Sequence, residues 1–365
     1  DPITYLKKHA LYALAGLALL GVAARVDYHR LRLLSPALVV VALAACAAVL
    51  VLGPAINGAR RWFLVGPVSL QPSEFAKLAV VVWAAAYLAR RRPPQSLGEL
   101  ARPIGLVLGG FALLLLLQPD LGTTVSLTLG LAGILVVSGV PARTLAGAAA
   151  LAGTAALVAI WLEPYRRERL LSFLDPWGDA QGAGFQNVQA IIGMGSGGIT
   201  GEGLGRGVQK IFYLPEAHTD MIVAIIGEEL GLIGVTAVIG AFTAFAYAGF
   251  RVALRCRDPF GKRLATGVTT LICGQAAVNL LAVLGLAPLT GIPLPFVSYG
   301  GSSLVVMLGA VGILLNVAGN DAVVAQRAAV PHRGRRNGRA RSPRARDRGG
   351  AARPRRRGDL GRVAG

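Results

Sequence analysis

Chemistry in this sequence is sought first among ionisable residues beside long apolar runs, since a charge at membrane depth is costly unless it is paired or lines a polar cavity. Glu74 and Lys77 open one such run in the stretch NGARRWFLVGPVSLQPSEFAK at 57–77. Three residues apart, they share one helical face. An ion pair fastening two helices and a polar cavity wall fit them equally well. Asp220 stands at the mouth of another run, immediately before MIVAIIGEELGLIG, with Glu216 and His218 just upstream. A carboxylate there either caps the helix by accepting its first amides or is available for acid–base work, and spacing alone favours the cap. In the turn QPDLGT at 118–123, Pro119 and Gly122 turn the chain and Asp120 is expected to cap the following helix.

Two further segments depart from simple apolar patterning. GEGLGRG at 201–207 superficially matches a phosphate-cradling loop, but the nucleotide motif needs a strand before it and a helix after it, in a cytosolic α/β unit. Its backbone amides could still hold a pyrophosphate. Near the end, LAPLTGIPLPFVSYGGSS interrupts a membrane pattern with Pro288, Pro293 and Pro295. Non-helical backbone at that depth is tolerated only where it is buried in protein or lines a cavity.

The elements that must position these residues are membrane helices. With 54% hydrophobic and 15% charged residues and a mean hydropathy of +0.59, the chain is too apolar for a soluble domain, where about a quarter of residues are charged. Nine blocks approach the roughly 20 residues that span a bilayer: 10–26, 36–54, 72–90, 101–118, 121–140, 142–162, 219–250, 264–287 and 297–320. The block at 219–250 is long enough to tilt or to contain a non-spanning turn. The expected fold is thus an all-α, polytopic membrane helix bundle with a large loop, 163–218, between the sixth and seventh spans.

Connectors rich in Arg and Lys (25–32, 90–92, 143, 251–263 and the tail) are placed in the cytoplasm by the positive-inside rule, and alternation puts the others outside. Arg60, Arg61 and the cluster Arg166, Arg167, Arg169 are then basic yet external. Such exceptions are functional candidates, because something anionic on that side could need them. The same parity puts the amino terminus outside, where Lys7 and Lys8 break the rule, so one further helix is expected before Asp1. The long loop, with eleven glycines between Gly178 and Gly207 and several aromatic residues, is expected to fold back as a cap over an outward cavity.

The formal charge of +19 is concentrated at one end, with fourteen Arg against two Asp from Arg327 onward. That tail, 327–365, lacks the apolar content to bury a core and is expected to be disordered, near anionic lipid rather than on nucleic acid. Domain 1–326 holds everything else. Cys46, Cys256 and Cys273 show neither a disulfide framework nor metal-ligand spacing.

The ordered set Asn279, Gly285, Pro288, Gly291, Ile292, Phe296 and SYGGSS at 298–303, together with ARRWF at 59–63, QPSEFAK at 71–77, QPDLGT at 118–123 and LPEAHTD at 214–220, resembles the conserved blocks of the FtsW/RodA (SEDS) family over about 1–320. FLDPW at 173–177, Gln209–Lys210 and the Ala of PEAHTD look more like its division-type members. The resemblance implies ten spans in the parent bundle and a peptidoglycan glycosyltransferase that polymerises lipid II at the outer face of the bacterial plasma membrane. It places the family's essential Asp on Asp220. Joining a sugar hydroxyl to an anomeric carbon needs a positioned base, for which Asp220 is the candidate. Fixed cations, either Arg and Lys or a divalent cation such as Mg or Mn, would stabilise the departing pyrophosphate. Substrate contacts are expected from Arg61, Trp62, Glu74, Lys77, Arg166, Lys210, His218 and Ser298. The implied partners are a class B penicillin-binding protein and other divisome proteins. A lipid II flippase and a divisome scaffold are the alternatives, disfavoured by the lack of an internal repeat and by the clustering of charge toward the outer ends.

Overall fold

The structure, a computed structural model, describes residues 2–56, 58–66, 68–214 and 218–329. Glu216 and the tail beyond residue 329 lie outside them. Eight helices are long and apolar enough to cross a membrane. They are α1 (Pro2–Arg25) and α2 (His29–Leu52), α3 (Pro72–Arg90), α4 (Leu97–Leu117), α6 (Ala142–Leu162), α9 (Ile222–Arg255), α10 (Pro259–Val283) and α11 (Gly301–Ala329). The block expected at 121–140 is a shorter apolar helix of 17 residues, α5 (Leu121–Val137), about 25 Å long at 1.5 Å per residue. Among the described residues, eight candidate spans and one shorter apolar helix therefore stand where nine spans were expected. The long loop carries two short helices, α7 (Pro164–Leu174) and α8 (Phe185–Ser196). A small hairpin of β1 (Phe63–Val65) and β2 (Val68–Leu70) precedes α3.

Burial separates the helices into a centre and a periphery. In their membrane stretches α3 is 72% buried and α10 67%, against 11% for α1 and 6% for α6. α10 packs along α9, α5 and α3, so α3 and α10 form the core while α1 and α6 stand at the periphery. Small residues set the spacing: a side chain at Gly133 would overlap Thr270, and one at Gly267 would overlap Ile134 and Val81. Lipid gives no hydrophobic drive for helices to associate, so close approach and hydrogen bonds do that work.

At the end away from the hairpin, two connectors are tied together by side chains. Asp258 caps α10 by accepting from Gly261 N at 2.8 Å and also accepts from the Tyr28 hydroxyl at 3.0 Å. Asn316 of α11 donates to Ala24 O at 2.8 Å and to Val26 O at 3.0 Å. Beside them Asp27 is held below the usual carboxylate range by the amide and ring of His29.

α9 is interrupted, as the length of its block allowed. Gly231 has φ 61° and ψ −158°, a conformation reached in practice only by glycine. The interruption frees carbonyls on one side and amides on the other, and loop 198–203 takes up both. Glu202 N and Gly203 N donate to Glu228 O and Glu229 O at 2.9 and 3.0 Å, while Leu232 N and Ile233 N donate to Gly198 O and Ile199 O at 2.9 and 3.2 Å. A side chain at Gly231 would overlap the Ile199 carbonyl, whereas one at Gly240 meets nothing within 4 Å. Gly231→Ala is therefore expected to lower the thermal unfolding midpoint of the detergent-purified protein by an amount matching at least ~1–3 kcal/mol of backbone strain. Gly240→Ala should leave the midpoint unchanged or raise it.

Candidate active site

A cavity of about 800 Å³ opens at the hairpin end of the bundle, with Arg61, Trp62, Glu74, Lys77, Asp120, Arg166, Arg169, His218, Asp220 and Tyr299 among its lining residues. Its walls come from the hairpin loop, the start of α3, the α4–α5 turn, α7, the stretch before α9 and the non-helical segment before α11.

Glu74 and Lys77 form the floor. They are 3% and 1% exposed and pair at 2.9 Å, and Lys77 Nζ also donates to Gln275 Oε1 of α10 at 2.7 Å. The two readings left open by the sequence are thus both true: the pair fastens α3 to α10 and borders the cavity. Glu74 Oε2 is buried without a hydrogen-bond partner among the described residues. Asp120 caps α5, accepting from Thr123 N at 3.0 Å and from the Thr123 hydroxyl at 2.7 Å, and its Oδ2 also receives the Ser73 hydroxyl at 3.4 Å.

Arg61 and Arg166 are partly committed to backbone carbonyls at helix ends. Arg61 donates to Gln118 O at 2.8 Å and Pro119 O at 2.6 Å. Arg166 donates to Ala159 O and Leu116 O, both at 3.1 Å. These bonds answer the unpaired carbonyls at the ends of α4 and α6 and fix where each positive charge stands.

Asp220 is not the cap of α9. That helix starts at Ile222 with Met221 in the capping position. The Asp220 carbonyl accepts from Asn279 Nδ2 of α10 at 2.7 Å, and its Oδ1 receives the Thr219 hydroxyl at 3.2 Å. The same Asn279 nitrogen donates to Ile292 O at 2.7 Å, so one side chain holds the Asp220 backbone against the non-helical segment. At Gly291, φ 68°, a side chain would start 3.9 Å from both Asp220 Oδ2 and Arg169 Nη1. Any side chain there would stand in contact with both a carboxylate and a guanidinium, and glycine leaves that position open. His218, Tyr5 and Tyr299 form the adjoining wall, with ring centroids 5.3–5.6 Å apart.

The structure therefore brings together Asp220, Arg61, Trp62, Glu74, Lys77, Arg166 and His218, but not Lys210 or Ser298. Lys210 forms a close ion pair with Glu229 of α9. Ser298 is 3% exposed, and its hydroxyl accepts from Leu294 N at 2.7 Å, closing the turn inside its own segment. The glycine-rich loop does use its amides to hold anions, but the anions are the protein's own. Glu228 accepts from Val208 N at 2.7 Å and Gln209 N at 3.2 Å, and Glu229 accepts from Gly205 N at 3.1 Å and Gly207 N at 3.3 Å. Of the long loop, α7 lines the cavity while this glycine-rich part is bound to α9. Asp120 and the tyrosines were not expected as lining residues, whereas Arg169 belongs to the external basic cluster whose departure from the positive-inside rule marked it as a functional candidate. Among the described residues no group of three or more His, Cys, Asp or Glu could hold a metal ion.

The FtsW/RodA/SpoVE family model, described as cell cycle protein, matches residues 1–322. The chain belongs to this family. It is similar to the probable peptidoglycan glycosyltransferase FtsW of Geobacter sulfurreducens, 41% identical over 325 residues that cover 87% of this chain and 86% of that one. Stage V sporulation protein E of Bacillus subtilis is 40% identical and covers 87% and 88%. Two solved structures share the fold. One, from work on the structural coordination of polymerization and crosslinking by a peptidoglycan synthase complex, gives a TM-score of 0.75 at 32% identity, covering 88% of this chain and 91% of that one. The rod shape determining protein RodA of Thermus thermophilus gives 0.64 at 30% identity, covering 88% and 89%.

In this family member the floor pair can be tested by itself. Lys77→Met leaves the Glu74 carboxylate buried and uncompensated, which costs about 3–5 kcal/mol. A fall of that order in unfolding free energy is expected, while the double variant Glu74→Gln/Lys77→Met, which removes both charges, should lose less than the single variant.

Proposed function

We propose that this protein is a peptidoglycan glycosyltransferase of the division type, polymerising lipid II at the outer face of the bacterial plasma membrane with Asp220 as general base. The observation that carries the reading is that the Asp220 carboxylate and the Arg169 guanidinium both lie 3.9 Å from the point where a side chain on Gly291 would begin, in a cavity that also holds Arg61, Arg166 and the buried Glu74–Lys77 pair. The names of the FtsW relatives support it.

The chemistry follows from that arrangement. A sugar hydroxyl is a poor nucleophile at neutral pH, so its proton passes to Asp220 as the oxygen bonds to the anomeric carbon of the donor. The anomeric carbon–oxygen bond to the polyprenyl pyrophosphate breaks, and the charge gathered on the leaving group meets guanidiniums that the fold has already placed. Because the donor arrives activated, no nucleotide is consumed. Under this reading α5 also crosses the bilayer, its 17 residues shielded by the bundle, which gives nine crossings. The hairpin end is then external, a class B penicillin-binding protein is the partner, and the basic tail is cytoplasmic.

Asp220→Asn preserves size and hydrogen-bonding reach but removes basicity. Loss of a general base typically costs about 10²- to 10⁴-fold, so lipid II polymerisation by the full-length protein with its class B partner should fall by that order while expression and thermal stability hold. Polymerisation near the wild-type rate would reject the role given to Asp220. The tail is expected to be dispensable: a chain ending at residue 329 should polymerise at the full rate, and a folded but inactive truncation would show that the tail takes part.

A further inference from the structure

α7 has two unlike sides. On a helix turning about 100° per residue, Arg167, Leu171 and Leu174 fall on one side, and Arg166 and Arg169 point away from it, Arg169 nearly opposite and Arg166 on the flank, about 80° from Leu174. The second pair lines the cavity. Leu171 and Leu174 are exposed at 51% and 70%.

The surroundings fix the level at which α7 lies. It begins two residues after α6 ends, and Leu170 shares a small groove with Leu121, the first residue of α5, and Ile160, in the last turn of α6. A helix level with the ends of two apolar helices sits where hydrocarbon gives way to headgroups. Trp161 and Trp177, exposed at 63% and 60%, stand before and after it as aromatic residues of the kind that marks that boundary. Arg167 precedes the two leucines on the same side, where its stem can lie along acyl chains while the guanidinium reaches a phosphate.

We propose that α7 is an interfacial helix whose Arg167, Leu171 and Leu174 side beds in phospholipid, and that this seat holds Arg166 and Arg169 on the cavity wall. The bilayer thereby acts as a positioning element of the site. Displacing the seat would move the arginines without touching Asp220.

A nitroxide at Leu174→Cys, in the full chain with Cys46, Cys256 and Cys273 replaced by Ala and reconstituted in phosphatidylethanolamine and phosphatidylglycerol vesicles, tests the seat. Collisions with oxygen should exceed those with a water-soluble nickel chelate, giving a depth between a label at Leu151→Cys, in the exposed middle of α6, and one at Gln181→Cys in the exposed connector between α7 and α8. Preference for nickel, placing the residue in water, or low collision with both, placing it under protein, would overturn the proposal. The second arm rests on the polymerase reading: Leu174→Glu should slow lipid II polymerisation in vesicles several-fold without changing thermal stability, and Leu174→Met should restore it. A membrane-buried label combined with a wild-type rate for Leu174→Glu would overturn the coupling to the arginines. That result leaves the role of Asp220 to its own substitution.

Discussion

Backbone that leaves the helix inside a bilayer has no water to bond, and the architecture of this protein follows from how that demand is met at two places. At Gly231 the break in α9 is answered by loop 198–203, strand-like on both sides of the interruption. In the segment before α11 it is answered from α10: Gln275 Nε2 donates to Pro293 O at 2.9 Å, and Asn279 Nδ2 donates to Ile292 O at 2.7 Å. Each unsatisfied amide or carbonyl would cost several kcal/mol in hydrocarbon. These polar side chains on the most central helices are therefore as structural as the leucines around them.

The same side chains build the site. Gln275 gives its amide hydrogen to the irregular segment and its oxygen to Lys77, which binds Glu74 in turn. Asn279 holds both Ile292 and the backbone of Asp220. α10 thus sets the distance between the floor pair, the catalytic candidate and the far wall, and a rearrangement of one is transmitted to the others. The cationic wall is similarly economical. Arg61 and Arg166 satisfy helix-end carbonyls and keep their charge beside the cavity, where a fixed charge needs no reorganisation as an anion forms.

Charge near a site does not by itself show a ligand contact, as the region around Glu228 and Glu229 makes plain. The sequence there offers a glycine-rich loop and a lysine, a combination suited to pyrophosphate. Folding satisfies both internally, the amides with two glutamates and Lys210 with Glu229. Two buried carboxylates just before a helix break were the discriminating signal. Their partners stand about twenty residues upstream, and sequence spacing gives no rule for pairing across a loop.

The sequence by itself determined the membrane class, the position of nearly every apolar helix and the capping role of Asp120, because each depends on local composition over one or two turns. The family was legible for a related reason: its motifs are long and ordered. Tertiary structure decided what depends on convergence from distant segments. It placed Asp220 outside the capping position and Gly291 beside it, set Arg169 and Tyr299 on the cavity wall, and removed Lys210 and Ser298 from it. A side chain's reach is a few ångströms, whereas the residues it meets are 59 positions away for Asn279 and Asp220 and 198 for Lys77 and Gln275. Only the packed bundle defines those neighbours.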